Sequence, residues 1–286
     1  MSLEENFRNF YGNFANEQDL GKVKQLFNEL YHEDFVNELD GGSSLNKEQL
    51  WKIQTIRINT GAVATVLLFK YVKPDVVEYK IHFKGSEDPV GKTVHCAYEL
   101  KDGQIYRGRA VDESSIKTIS NAKTALANFQ RAQEKARALF ALFDGVPKAF
   151  DEEMEKAFDA LYHEDFVHNM DDQPHNKAQW KERLNEFAET GTKISLLKFE
   201  PKDDIHFDAS IRVVNSTIDV VGNSRGTVRG SSVLKIEPYD HSKASYASMP
   251  GEKARDCGEF SDYFPYGAGQ KEVRSEEGHT NVAISQ

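Results

Sequence analysis

Leu30-Tyr31-His32-Glu33-Asp34-Phe35-Val36 is written twice in this chain, returning as Leu161-Tyr162-His163-Glu164-Asp165-Phe166-Val167, 131 positions on. Seven identical residues do not arise readily by chance, and a spacing of 131 is far too long for a solenoid repeat. One unit of roughly 130 residues has been copied in tandem. Other landmarks keep the same order. Met154, Phe158 and Leu161 repeat Val23, Phe27 and Leu30; Asn176-Lys177-Ala178-Gln179 answers Asn46-Lys47-Glu48-Gln49; Thr190-Gly191 answers Thr60-Gly61.

Upstream of the first heptapeptide, Phe7, Phe10, Tyr11 and Phe14 fall three and four apart, one apolar helix face. Asp19 is a candidate N-cap for a second helix through Val23, Leu26, Phe27 and Leu30, expected to end at His32 to Asp34. Asp40 to Ser44 reads as a loop, and Asn46 as the cap of a third, short helix through Leu50, Trp51 and Ile53. Strands are expected next. The apolar run Ala62–Tyr71 reads as buried on both faces or pressed under a helix. Val77, Tyr79, Ile81 and Phe83 alternate with polar residues, and Thr93–Leu100 and Gln104–Val111 flank a Lys101-Asp102-Gly103 turn. From Ser114 to Phe143 the pattern is helical again, serving as linker and as first helix of the second copy. Strands are then expected at Lys193–Phe199, Ile205–Val214, Ile218–Val221, Thr227–Leu234 and Lys235–Pro238, with Gly222-Asn223-Ser224-Arg225-Gly226 a turn between them. The division is therefore a first domain at 1–115, a second at 116–240 and a polar, flexible tail at 241–286, in which Tyr246, Phe260, Tyr263, Phe264 and Tyr266 offer docking points.

A chain of 286 residues, 39% hydrophobic and 11% aromatic, can supply two cores. Its net charge of −10, with no basic block, suits neither nucleic acid nor an anionic membrane surface. Cys96 and Cys257 form no disulfide framework and no CxxC pair, which fits a reducing compartment. Met1-Ser2-Leu3-Glu4-Glu5-Asn6 has neither the basic nor the apolar region of a signal peptide, and no apolar run is long enough to span a bilayer. The expectation is a soluble cytoplasmic protein. Phosphate loops, nucleophile elbows and dinucleotide fingerprints are absent, so no cofactor is expected.

Helix, helix, short helix and then a hairpin-rich sheet is an α+β order, present in each copy. The junction resembles the SnoaL-like and nuclear-transport-factor-2-like superfamily, where a helix ending Leu-Phe/Tyr-x-x-Asp and two apolar residues runs into the first strand. Leu100-Lys101-Asp102-Gly103-Gln104-Ile105 is similar to that family's closing hairpin. The resemblance covers residues 3–112 and 121–240. It implies two tandem cone-shaped α+β barrels, each with helices packed on a curved antiparallel sheet around a pocket for a small apolar molecule.

Enzymes of that superfamily typically use an Asp base with a Tyr, His or Arg partner. The acid sits about five residues past the motif Asp, which here gives Leu39 and Met170. Neither moves a proton, and a shift to Asp40 or Asp171 would point the side chain away from the pocket. The isomerase-type acid is thus expected to be missing from both copies. Asn37 and His168 are the polar residues expected to look inward from that strand, and Tyr11 lies where isomerase-type members place a catalytic Tyr, with Leu142 at its offset position. On Thr93–Leu100, Val94, Cys96, Tyr98 and Leu100 share one face and His95 the other; Thr227-Val228-Arg229-Gly230 aligns Arg229 with His95. A His-Glu-Asp triplet is tempting as a metal site. His163 and His168, however, are five apart and would fall on different helix faces, so no metal is expected. The simpler account makes Asp34 and Asp165 helix terminators and leaves Tyr31 and Tyr162 with their hydroxyls at the rim.

Two functions follow. The first is a small-molecule-pocket protein with lyase-, isomerase- or cyclase-like activity in one domain, its weak catalytic candidates being Tyr11, Asn37, His95, Tyr98, His168 and Arg229, with His82 and His206 nearby on strands. The second is a non-catalytic binding or assembly module in which the copies form an intramolecular pseudo-dimer, with a protein partner taken through the sheet face or the tail.

Overall fold

The computed structural model describes residues 2–14, 19–85, 90–170 and 173–238. The tail from 239 on, with its aromatic residues and Cys257, lies outside the described residues. The first copy runs α1 (Leu3–Gly12), α2 (Leu20–Leu30), β1 (Tyr31–Glu38), β2 (Ser44–Asn46), α3 (Lys47–Asn59), β3 (Val63–Lys73), β4 (Val76–Lys84), β5 (Lys92–Lys101) and β6 (Gln104–Ala110). A 29-residue helix, α4 (Glu113–Ala141), follows. The second copy continues with α5 (Glu152–Leu161), β7 (Tyr162–Met170), β8 (Gln173–Asn176), α6 (Lys177–Glu189), β9 (Lys193–Pro201), β10 (His206–Val214), β11 (Asp219–Arg229) and β12 (Ser232–Pro238). The sheets are ordered β2-β1-β6-β5-β4-β3 and β8-β7-β12-β11-β10-β9, so the second repeats the first strand for strand. Each is antiparallel except where β1 runs parallel to β6, and β7 to β12.

The repeated heptapeptide is where helix becomes strand. α2 and α5 end at Leu30 and Leu161, three residues or so before the sequence suggested, and extended backbone starts at once with Tyr31 and Tyr162. Five residue steps of β1, from Tyr31 to Val36, span the same ladder as two steps of β6, from Ile105 to Arg107. β7 repeats this against β12, with Tyr162 to Val167 opposite Val233 to Lys235. This is a wide bulge, whose surplus amides lose their ladder partners. The motif supplies replacements. The Asp34 N–H donates to His32 Nδ1 at 3.1 Å, and the Asp165 N–H to His163 Nδ1 at 3.1 Å. Lys47 and Lys177 donate to the Tyr31 and Tyr162 carbonyls at 2.5 and 2.9 Å. The carboxylates do not end the helices. Asp34 pairs with Lys101 at 3.4 Å and Asp165 with Arg229 at 2.9 Å, tying each bulge to the closing hairpin. The hydroxyl of Tyr31 is not at a rim either, since that residue is wholly buried.

Asn46 and Asn176 cap α3 and α6 with reciprocal capping boxes to Gln49 and Gln179, which extends both to 13 residues, longer than expected. β3 departs from the sequence expectation. It is a sheet edge, and only Ala64 and Phe69 are buried, while Val63, Leu67 and Tyr71 face solvent. β11 departs too. Gly222 to Gly226 lies inside one continuous strand, and the turn falls at Gly230-Ser231 instead. Gly226 is there because the Phe207 ring covers it: an added Cβ would stand 2.2 Å from Phe207 Cζ. The short strands β2 and β8 carry no period-two pattern and were not expected.

Two separate cores result. α4 serves both, with Ile119 and Leu126 in the first and Ala125, Phe129, Ala132 and Leu139 in the second. Its start is anchored to the first sheet: Asp112 caps it, and Ser115 Oγ accepts the His95 N–H at 2.8 Å. A second link between the copies is the ion pair Lys92–Asp204 at 3.1 Å. Among the described residues no helix is long and apolar enough to cross a membrane.

Candidate functional site

The first core is not filled by hydrocarbon alone. Phe7, Phe10, Tyr11 and Phe14 on or beside α1 are all buried, which carries the Tyr11 hydroxyl inward. It meets the Tyr31 hydroxyl at 2.8 Å, and Gln54 Nε2 donates to it at 3.4 Å. Arg57, one turn along α3, donates from Nη1 to Gln54 Oε1 at 3.3 Å and lays its guanidinium 4.0 Å from the centre of the Phe83 ring. Tyr79 and Tyr98, on β4 and β5, stack with ring centres 5.5 Å apart. Asn37 looks in from β1, 2% exposed, its Oδ1 without a hydrogen-bond partner in the protein.

These groups surround a cavity of about 30 Å3 that opens to solvent. Tyr11, Asn37, Tyr79, Cys96 and Tyr98 line the depth, and Leu50, Ile53 and Ile119 are among the apolar residues around them. Gln54 and Arg57 line it from α3. It has room for a water or two. Among the described residues no carboxylate lines it.

The electrostatics make this a site of donors. Burial, followed by the neighbouring phenols, pushes the hydroxyls of Tyr11, Tyr31 and Tyr79 well above the usual phenol range; burial and then Cys96 do the same to Tyr98. Burial raises the Cys96 thiol to about 12. All five stay protonated at neutral pH and are neither bases nor nucleophiles. Burial draws Arg57 below its ordinary value, but a guanidinium remains charged. The arrangement can hydrogen-bond and polarise an oxygen. Among the described residues lining it, none is placed to remove a proton.

The second copy builds the same walls from more apolar residues. The positions of Gln54 and Arg57, 130 residues on, are Leu184 and Phe187, and Leu50 becomes Trp180. All three are buried. The hairpin registers align Gly226 with Tyr98, since Tyr98 faces Gly108 and Gly226 faces Ile236; Phe207 packs over that glycine and stacks on Phe199 at 4.3 Å. His168 stands where Asn37 stands, 8% exposed, edge-on to Trp180 at 4.5 Å, with Nδ1 unpartnered. Burial, then the nearby His175, pushes it down to about 3, so it is a neutral core histidine at pH 7.

The sequence candidates thus divide. Tyr11, Asn37 and Tyr98 come together at the first cavity. His95 faces outward, its Nε2–H donating to Glu78 at 2.7 Å with Asp112 3.5 Å from Nδ1, a brace between sheet and α4. Arg229 does not correspond to His95. The hairpin register matches it to Lys101, and both pair with the motif Asp. His82 bonds Thr93 at 3.0 Å and His206 bonds Asp203 at 2.7 Å, neither lining the cavity. Leu39 is buried in the first core, whereas Asp171 and the side chains of Asp40 and Met170 lie outside the described residues. His163, Glu164 and Asp165 bring ligand atoms within 4.8 Å of one another, but His163 Nδ1 accepts an amide and Asp165 is paired with Arg229. Gln54 and Arg57 escaped the sequence reading. Comparing the copies at this offset, where polar residues face Leu184 and Phe187, would have found them.

No family model matches the chain, and no curated protein matches it. Solved structures do. A protein assigned as a SnoaL-like polyketide cyclase from Jannaschia sp. CCS1 is 16% identical over 42% of this chain and 90% of its own, with a TM-score of 0.31. A de novo designed NTF2-fold protein is 19% identical over 42% and 88%, TM-score 0.30. A protein assigned as an isomerase of the SnoaL-like family from Agrobacterium tumefaciens C58 is 12% identical over 38% and 97%, TM-score 0.29. Each match spans about one copy, and two such α+β copies stand in tandem.

Proposed function

We propose that the first copy is the ligand-holding half of the protein and that the second is its structural partner. The ligand is a small, mainly apolar molecule with an oxygen-bearing end. That end sits among Arg57, Gln54, Asn37 and the Tyr11 hydroxyl, and the apolar body lies in the mouth against Leu50, Ile53 and Ile119.

One observation carries this reading. An Arg, a Gln, an Asn and several phenols converge on one cavity, although the second copy has apolar Leu184 and Phe187 at the Gln54 and Arg57 positions. Buried polar groups weaken a core unless they are fully satisfied, and Asn37 is not. Only the first copy keeps the Gln54 and Arg57 pair, which is understandable if a ligand completes the network; the buried, unpartnered His168 at the Asn37 position of the second copy has no such pair beside it. A lyase-, isomerase- or cyclase-type step on such a ligand would run on phenol donation and the Arg57 charge rather than on a side-chain carboxylate. A cytoplasmic, reducing setting would keep the buried Cys96 thiol as it stands.

The alternative, a non-catalytic assembly module with the copies as a pseudo-dimer, is favoured by the apolar core of the second copy and by the links through α4 and Lys92–Asp204. Native mass spectrometry of the purified chain separates the two. A ligand-holding first copy gives an adduct lost on denaturation and absent from the Gln54→Leu, Arg57→Phe double variant. A bare mass for the parent protein, or an adduct retained by that variant, favours the assembly module.

A further inference from the structure

Among the described residues Arg57 is the one charged side chain lining the first cavity, and none of their carboxylates lies within ion-pair distance of it. Its guanidinium rests on the Phe83 ring at 4.0 Å. Phe83 is the cross-strand partner of Lys92, and the Lys92 ammonium holds Asp204 at 3.1 Å. Asp204 belongs to the loop between β9 and β10 in the second copy. It is also the carboxylate among the described residues that acts most strongly on Arg57. Among the described residues, therefore, the Arg57 charge at the cavity is met by an amide and a ring rather than by a paired carboxylate, and the carboxylate that most offsets it comes from the other half of the chain.

We propose that the first cavity selects ligands with a carboxylate or comparable oxyanion, bound by Arg57, and that Lys92 and Asp204 tune that selectivity across the junction between the copies. This rests on the first copy being the ligand-holding half. An anion entering the cavity gains the Arg57 charge and a planar pair of guanidinium donors. Gln54 and the Tyr11 hydroxyl sit beside it and add donors. Asp204 works against the incoming charge and Lys92 works for it. The ion pair holds the two effects close to balance, so loss of either member shifts affinity in opposite directions. This gives the tandem arrangement a use beyond packing, since neither copy alone contains both the cation and its counter-charge.

The test uses the full chain with benzoate and its uncharged isostere benzamide, followed by calorimetry at low and at raised salt. Benzoate binds at least tenfold more tightly than benzamide, and Arg57→Gln removes the difference. Asp204→Asn tightens benzoate and Lys92→Gln weakens it, each roughly threefold at low salt, and both effects shrink as salt rises. Both variants change half-exposed surface residues, and their unfolding curves confirm that the fold is kept. Equal affinity for the two probes, or the same direction of change in both charge variants, overturns the inference while leaving a ligand-holding first copy intact. Binding of neither probe by a protein that also carries no native adduct overturns both.

Discussion

His168 gives the most quantitative handle on the second copy. Its ring is buried against Trp180, and its ordinary value of 6.5 is pushed down to about 3 by that burial and then by His175 on the paired strand. The unfolded chain takes up this proton near pH 6.5, whereas the folded chain resists it until about pH 3. A depressed folded value means that the neutral ring's contribution is fully present above pH 6.5 and is lost as pH falls towards 3. At pH 4 the loss from this one group is about 3 kcal/mol, and it approaches about 5 kcal/mol below pH 3. His168→Leu removes the titration and keeps the volume. Urea unfolding from pH 7 to pH 4 should therefore show the parent protein losing about 3 kcal/mol more than the variant in the transition that reports the second copy. Parallel curves for the two proteins would show that His168 is already protonated or exposed, and the reading of it as a neutral core histidine would be wrong.

Other expectations are smaller. Gly226→Ala drives a methyl into the Phe207 ring and should destabilise the second copy by about 1–3 kcal/mol, while Gly12→Ala, with nothing within 4 Å of the new Cβ, should be neutral or stabilising in the same thermal scan. Tyr11→Phe deletes the bond to Tyr31 and should lower first-copy stability by about 1–2 kcal/mol, measured by urea unfolding. Arg229→Ala and Lys101→Ala break exposed ion pairs and should each change stability by less than about 1 kcal/mol, with any effect fading in salt. A larger loss would mean that the bulge depends on its carboxylate.

Much of the frame was legible because it is written in local chemistry. The heptapeptide revealed the duplication, Asp19 and the paired Asn46/Gln49 and Asn176/Gln179 marked helix starts, and Asp102-Gly103, both at positive φ, marked the closing hairpin. What failed were inferences that assume uniform spacing. The copies are 131 apart at the heptapeptide, 130 apart at Thr60 and Thr190, and 128 apart at Lys101 and Arg229, whereas matching Arg229 to His95 requires a spacing of 134 that the hairpin register excludes. Gly222 to Gly226 looked like a turn because glycine usually marks one; here Gly226 answers a ring on the neighbouring strand, a long-range cause with no local signal. The bulge at the motif consumed residues that simple alternation counts as strand. The exposed face of β3 depends on its place at the sheet edge, which its apolar composition does not record. Arg57 and Gln54 were hidden on a helix face that reads as ordinary amphipathic surface until it meets the sheet.

The central claim is that one frame was duplicated and only its first copy keeps a site. Amide-resolved NMR during a benzoate titration tests it most directly. The account predicts shifts at Gln54, Arg57 and Tyr98 and none at their counterparts Leu184, Phe187 and Gly226. Shifts confined to the second copy, or shared equally between the two, would contradict it.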